Sequence, residues 1–285
     1  MSKLTKQQAA LHAQACAYLE KDVLTLDERM FVLTHWQESA NHINGVAGAF
    51  FTPQTLASDF SIEVTGRRVI DLCAGIGSLA FAYYHRDAFR RGKGLEIVCV
   101  EQNPDYVAVG RKVLPEATWI LANVLELPAT LGKFDCAIAN PPFGRIKSTG
   151  TAPRHTGAEF EYSVIDVASD IARSGVFLIP QGSAPFSYSG QRNCQETAPS
   201  KYLRFCELTG IELEANCGLD TSHALGDWHG VSVMRRDRRC GFRRCPAEAR
   251  RRSYARPGRI VRRGLKRLGP ARSKTRKVKR WQVAI

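Results

Sequence analysis

Nowhere in the 285 residues does an apolar run approach the ~20 residues that a membrane-spanning helix needs. The start of the chain is polar (Ser2, Lys3, Lys6, Gln7, Gln8) and contains no signal-peptide core. The expectation is a soluble, cytoplasmic protein with no membrane partner. A regular cysteine framework is also missing. Nine cysteines are scattered through apolar contexts such as Leu72-Cys73-Ala74 and Val98-Cys99-Val100, which suits buried thiols in a reducing compartment and excludes a disulfide scaffold. Cys240 and Cys245 are separated by four residues and have no second ligand pair, so no metal site is expected. Acidic residues nearly vanish from the end of the chain. Residues 235–285 hold 21 Lys+Arg against 2 Asp+Glu, a surplus of 19 that leaves residues 1–234 at −5 of the total +14. A mildly acidic body thus carries an intensely basic tail.

Within the body, hydrophobic patterning is of two kinds. Gln8–Leu19 is rich in Ala, Leu and Gln, and Thr25-Leu26-Asp27-Glu28 is a capping-box pattern, so residues 1–44 are expected to be helical. Pro53 is placed to open a short helix through Phe60. From Arg68 onward short apolar runs (Val69–Leu72, Glu96–Val100, Ala117–Leu121, Phe134–Ala139, Gly175–Ile179) alternate with helical segments (Ser78–Arg91, Asp105–Val113, Ala158–Arg173). Ile211–Ala215 and Gly230–Met234 are candidates for the last two strands. Strands without polar alternation, separated by helices, indicate a parallel sheet covered on both faces. The fold class expected is α/β, doubly wound and mainly parallel, over residues 45–234. Beyond Met234 too few apolar residues remain to build a core, and residues 235–285 are expected to be a largely disordered tail.

Four strand ends carry polar residues suited to a ligand. Val69-Ile70-Asp71-Leu72-Cys73-Ala74-Gly75-Ile76-Gly77-Ser78 is a strand, a glycine turn and a helix start. Gly75 and Gly77 let the backbone approach a ligand, and Asp71 can hold a cationic amine. Ala80 stands where the dinucleotide fingerprint has its third glycine, so a phosphate is not favoured. Glu101 ends the second strand and can accept both hydroxyls of a ribose; Asn123 follows the third and can meet an adenine edge. Either could equally be a capping or surface residue. After the fourth strand come Asn140-Pro141-Pro142-Phe143: an amide, two rigid imides and an aromatic ring that can grip a planar amino-bearing group, or simply stop the strand.

In this order the motifs resemble those of S-adenosylmethionine-dependent class I methyltransferases, and the tetrad resembles the signature of the N6-adenine DNA methyltransferases. Phe51-Thr52-Pro53 is similar to the Phe-x-Thr-Pro-type cofactor motif of the DNA-modifying members. The resemblance covers about residues 45–235. It implies S-adenosyl-L-methionine as cofactor, with Asp71, Ala74, Gly75 and Gly77 cradling the methionine moiety, Phe51 and Thr52 beside it with Thr52 on its carboxylate, Glu101 on the ribose and Asn123 on the adenine. Asn123 departs from the commoner Asp, and Phe143 from the commoner Tyr. It further implies Asn140, Pro141, Pro142 and Phe143 as the catalytic set acting on a flipped-out adenine of DNA, in a modification system with a cognate restriction endonuclease. No Pro-Cys nucleophile is present, and none is needed for attack by an amine on a sulfonium methyl.

Alternatives stay open. The amine could belong to an RNA adenine or a protein glutamine, or the fold could bind nucleic acid without catalysis. Gly144–Thr156, with Arg145, Lys147, Arg154 and His155, is either a substrate loop or a solvated one. The tail has phosphate-attracting charge but only Phe242, Tyr254 and Trp281 as aromatics, so it is a nucleic-acid arm, a solvated tail or an out-of-frame extension.

Overall fold

Both faces of a parallel sheet are covered by helices, as the unbroken apolar runs require. The computed structural model describes residues 5–37, 50–91, 94–143, 146, 149–215, 220–228 and 279–284. In chain order the elements are α1 (Lys6–Leu19), α2 (Leu26–His35), α3 (Gln54–Ser61), β1 (Arg68–Leu72), α4 (Ser78–Arg91), β2 (Glu96–Glu101), α5 (Pro104–Val113), β3 (Thr118–Leu121), β4 (Phe134–Ala139), α6 (Phe160–Ile171), β5 (Ala172–Leu178), β6 (Phe186–Ser187), β7 (Gln195–Glu196), α7 (Ser200–Thr209), β8 (Ile211–Ala215) and β9 (Lys279–Ala284). The strand order is β3-β2-β1-β4-β5-β9-β8, every neighbouring pair is parallel, and β6 and β7 form a separate antiparallel pair. The expected doubly wound, mainly parallel α/β sheet is therefore present.

Alternation along each strand divides the core. Val69, Ile97, Cys99, Cys136 and Ile138 face one cluster, while Ile70, Leu72, Val98, Val100, Ala137 and Ala139 face the other. Each strand thus buries both sets of side chains, and a polar residue can survive only at a strand end or with partners.

The N-terminal helices belong to the first of these clusters. Ala15, Val32, Leu33 and Trp36 pack with Leu56, Val69 and Leu79. Both helices begin with reciprocal capping boxes, Thr5 with Gln8 and Thr25 with Glu28, of which the second was legible in the sequence. Arg29 forks onto the Glu116 carboxylate at 2.8 and 3.1 Å, tying α2 to the turn before β3.

One expectation needs correction. The basic tail contributes a strand: β9 lies between β5 and β8, pairing Val176 with Gln282 and Leu213 with Trp281. The signal was the short run Trp281-Gln282-Val283-Ala284, outweighed by the arginines before it. The expected strand Gly230–Met234, the pair Cys240 and Cys245, the rest of the tail, and Gly144, Arg145 and Lys147 lie outside the described residues. Among the described residues no helix is long and apolar enough to cross a membrane, no cluster of side chains could hold a metal ion, and Cys16, Cys73, Cys99, Cys136, Cys194 and Cys206 are free thiols.

Candidate functional site

Strand order reverses between β1 and β4, where β1 leads outward to β2 and β3 on one side and β4 to β5 on the other. In an open parallel sheet the carboxyl ends of the strands part at such a point and leave a crevice. Here the crevice is a small cleft lined among others by Phe51, Thr52, Asp71, Gly75, Ser78 and Asn140. Residues expected from three separate stretches of sequence, around Thr52, Asp71–Gly75 and Asn140, meet in it, and Glu101 reaches its wall through the Gly75 N–H.

The turn after β1 departs from ordinary backbone three times within five residues. Cys73 has φ 63°, Gly75 57° and Gly77 94°. A side chain at Gly75 would put its Cβ 3.1 Å from the Phe51 ring, and one at Gly77 the same distance from Trp119. Glycine is therefore strongly favoured by φ, and a side chain at either position would also press on a ring. Cys73 holds the left-handed region without that exemption, a cost of about 1–2 kcal/mol that the surrounding turn must impose. Burial, with the charges of Glu101 and Asp71, pushes its thiol pKa well up, so it is a neutral thiol and no nucleophile.

Asp71 is the most telling group. Its carboxylate is 1% exposed, and one oxygen, Oδ2, accepts the Ala80 N–H at 3.2 Å. The other, Oδ1, is buried with no partner, as is the Ser78 hydroxyl in the same cleft. Burial, reinforced by the nearby Glu101 charge and opposed by the Ala80 bond, raises the Asp71 pKa well above the usual carboxylate range. A buried acceptor without a donor is costly, and a cationic amine in the cleft would relieve it.

Glu101 is employed differently from the expectation of a bare ribose clamp. Oε2 accepts the Gly75 N–H at 2.9 Å, and Oε1 accepts those of Gln102 (2.8 Å) and Asn103 (2.9 Å). These bonds oppose the upward push of burial on its pKa. Three of a carboxylate's four lone-pair sites are spent on the protein, so one is left. Asn123 departs further. Its Oδ1 caps the short turn Val124–Glu126 by accepting the Leu125 N–H at 3.0 Å, and its Nδ2 donates to the Thr149 carbonyl at 2.7 Å. The structure makes it a cap and a tie to the loop at Thr149, which leaves the adenine role without support.

Asn140 sits at the end of β4 with its amide held from across the cleft. Nδ2 donates to the Phe50 carbonyl and to Thr52 Oγ1, both at 3.0 Å. A carbonyl can only accept, so Nδ2 faces Phe50 and the orientation of the amide follows from its partners. Oδ1 is the atom left to other ligands. Pro141 is buried, Pro142 and Phe143 are half-buried, and Phe143 makes no ring–ring contact among the described residues.

Sequence reasoning missed several supports. Phe51 leans on Trp36 (ring centroids 5.6 Å apart) and on Tyr106 (5.1 Å, edge-on), which anchors the segment that carries Thr52. Trp119 backs Gly77. Ser78 was findable as the hydroxyl residue that opens α4 directly after the glycine turn. The described part of the loop, read as either a substrate loop or a solvated one, has a structural role. Arg154 bonds Asp166 at 2.6 Å and Asp170 at 2.8 Å, and Asp166 also accepts the backbone N–H groups of Arg154 and His155. His155 is 5% exposed, its Nδ1 lies 3.0 Å from Ser163 Oγ, and burial holds its pKa below the ordinary value.

The chain matches no family model and no curated protein. Similar solved structures include a Vibrio vulnificus protein assigned as a modification subunit of a type I restriction enzyme, at 14% identity over 69% of this chain and 47% of that one with a TM-score of 0.48. Another is the methyltransferase subunit of a type I restriction-modification system from Streptococcus thermophilus, at 16% identity over 60% and 42% with a TM-score of 0.41. A third is a Pyrococcus abyssi tRNA (uracil-54, C5)-methyltransferase in complex with S-adenosyl-L-homocysteine, at 21% identity over 31% and 21% with a TM-score of 0.26. The chain spans less than half the length of each of these proteins, whose activities remain their own.

Proposed function

We propose that the protein is an S-adenosyl-L-methionine-dependent methyltransferase acting on the N6 amine of a flipped-out adenine in DNA. The observation that carries this reading is the pairing, in one cleft, of an orphaned buried carboxylate oxygen on Asp71 with an Asn140 amide turned so that its carbonyl is free. One asks for a cation and the other for an N–H donor. A methionine ammonium and an exocyclic amine are such a pair.

The residues fit the cofactor. Asp71 Oδ1 would take the ammonium, the Thr52 hydroxyl hydrogen the carboxylate, and the remaining lone pair of Glu101 a ribose hydroxyl, with Phe51, Ala74, Gly75 and Gly77 shaping the wall. Bound there, S-adenosylmethionine supplies an electrophilic sulfonium methyl. Asn140 Oδ1 and the Pro141 carbonyl accept the two N6 hydrogens of the target, which draws the nitrogen lone pair out of conjugation and aims it at the methyl. Pro142 stiffens the turn, and Phe143 offers a face to replace the stacking that the base loses on leaving the duplex. Neither an amide nor a backbone carbonyl can take up a proton, so the surplus N6 proton leaves to water. A modification system with a cognate restriction endonuclease is the setting this reading carries.

The test is to incubate the protein with methyl-labelled donor and, separately, unmethylated duplex DNA, RNA and cell extract. Label recovered from DNA as N6-methyladenine is expected. Label confined to RNA or to protein would overturn the choice of DNA, and none on any substrate would overturn the enzyme.

Asp71→Asn separates binding from stability. Because burial raises the Asp71 pKa above its ordinary 3.8, the folded protein holds this proton longer than the unfolded chain, and stability falls as pH rises from 3.8 toward the folded value. The amide variant keeps the bond from the Ala80 N–H and has no charge to desolvate. Its Tm is expected to gain on the wild type as pH rises through that window. Its affinity for S-adenosylhomocysteine should fall by about 30-fold, the equivalent of one charge-assisted hydrogen bond of about 2 kcal/mol. Calorimetric titration and melting curves across pH measure the two.

A further inference from the structure

We infer that Thr52 is a positioning residue: its hydroxyl, with the Phe50 carbonyl, holds the Asn140 amide so that the site presents an acceptor and admits an N–H donor. As a statement about catalysis it rests on the function proposed above, whereas the orientation itself is a property of the protein alone.

An asparagine side chain has two faces of opposite hydrogen-bonding sense, and half a turn about χ2 exchanges them. Facing the cleft with its NH2, Asn140 would favour a carbonyl on the substrate and repel an amine. Facing it with Oδ1, it does the reverse. The sense is fixed by the Phe50 carbonyl, which can only accept, and Thr52 Oγ1 holds the same NH2 from a second side; they come from 90 and 88 residues away and each lies 3.0 Å from Nδ2. A flipped amide would set Oδ1 against the Phe50 carbonyl, two acceptors in contact.

Thr52 is suited to the task because it is fixed. It is 4% exposed, and its neighbour Phe51 is wedged against Trp36 and Tyr106. Its hydroxyl accepts from Asn140 with one lone pair and keeps its own hydrogen for another acceptor in the cleft. One oxygen can therefore touch both halves of the site, and loading of an anionic group on Thr52 would stiffen the residue that receives the amine.

Thr52→Val keeps the shape and removes the acceptor, while Thr52→Ser keeps the acceptor. At saturating donor and acceptor, Thr52→Val is expected to lower kcat by about 10- to 100-fold, as misplacement of a reacting group does, and Thr52→Ser to restore most of it. A role confined to the donor's carboxylate would move the donor KM and leave kcat alone. The second measurement needs no turnover. Hydrogen exchange of the Asn140 side-chain NH2, followed by NMR, should quicken in Thr52→Val and return to the wild-type rate in Thr52→Ser. Unchanged exchange in Thr52→Val, or a serine variant as impaired as the valine one, would overturn the assignment. A wild-type protein inactive on every substrate yet showing the exchange pattern would instead sink the proposed function and leave Thr52's role standing.

Discussion

Asn140→Ala is expected to lower methyl transfer at saturating substrates by about 10²–10³-fold, the usual cost of deleting a preorganised polar group aimed at the reacting centre. Affinity for S-adenosylhomocysteine should stay close to that of the wild type. The separation follows from the geometry. Asp71 and Gly75 stand on the β1 side of the cleft, whereas Asn140 at the end of β4 gives its amide hydrogens to Phe50 and Thr52. Removing the amide leaves the Phe50 carbonyl and the Thr52 hydroxyl without a donor, but both can turn to water in an open cleft, so a large loss of stability is not expected. Single-turnover transfer from a labelled donor, beside calorimetric titration with S-adenosylhomocysteine, measures both arms. Transfer within a few-fold of wild type would remove Asn140 from the catalytic role.

The second large effect is on the framework. Trp119 is 7% exposed, donates Nε1–H to the Leu114 carbonyl at 3.1 Å, and lies between two glycines. Its ring would be 2.1 Å from a Cβ at Gly110 on α5 and 3.1 Å from one at Gly77 in the glycine turn after β1. Trp119→Ala is expected to destabilise by about 3–5 kcal/mol, the range for emptying a large aromatic site. Gly110→Ala sets two effects against each other. Helix propensity favours alanine by about 1 kcal/mol, yet the added methyl overlaps the indole, and overpacking costs about 1–3 kcal/mol or more. At 2.1 Å the clash is with a rigid ring held by a hydrogen bond, so destabilisation wins. With Trp119 already alanine the clash is gone, and Gly110→Ala should turn neutral or favourable. The cycle is therefore expected to show a coupling of about 1–3 kcal/mol, read from urea unfolding. Additive effects would mean that α5 and β3 do not meet through this pair.

How much was legible in advance follows from where each instruction is written. Ser78–Arg91 and Phe134–Ala139 are a helix and a strand with the bounds expected, because a buried strand and an amphipathic helix write their periods into adjacent residues. β5 begins at Ala172, earlier than Gly175, because α6 ends at Ile171 and passes into the strand without a loop. Asn123 shows the limit. A strand-end asparagine looks the same whether it meets a ligand or caps a turn, and here its amide nitrogen is tied to Thr149, 26 residues on, a partner that no local pattern announces. Arg154 is similar: as a basic loop residue it suited substrate or solvent equally, whereas Asp166 and Asp170, one turn apart on α6, claim it.

The sequence by itself therefore determined the alternation of strands and helices, the glycine turn after β1, and the presence of Asp71, Glu101 and Asn140 at strand ends along one edge of the sheet. Those are local matters of burial, backbone freedom and position. The tertiary structure alone decided which polar atoms remain unclaimed: Asp71 Oδ1 orphaned, Glu101 mostly spent, Asn123 committed, Asn140 turned with its carbonyl outward. A buried polar group must find a partner wherever the fold brings one, and those partners lie many residues away, so the chemistry left over for a ligand becomes visible only when the chain has closed on itself.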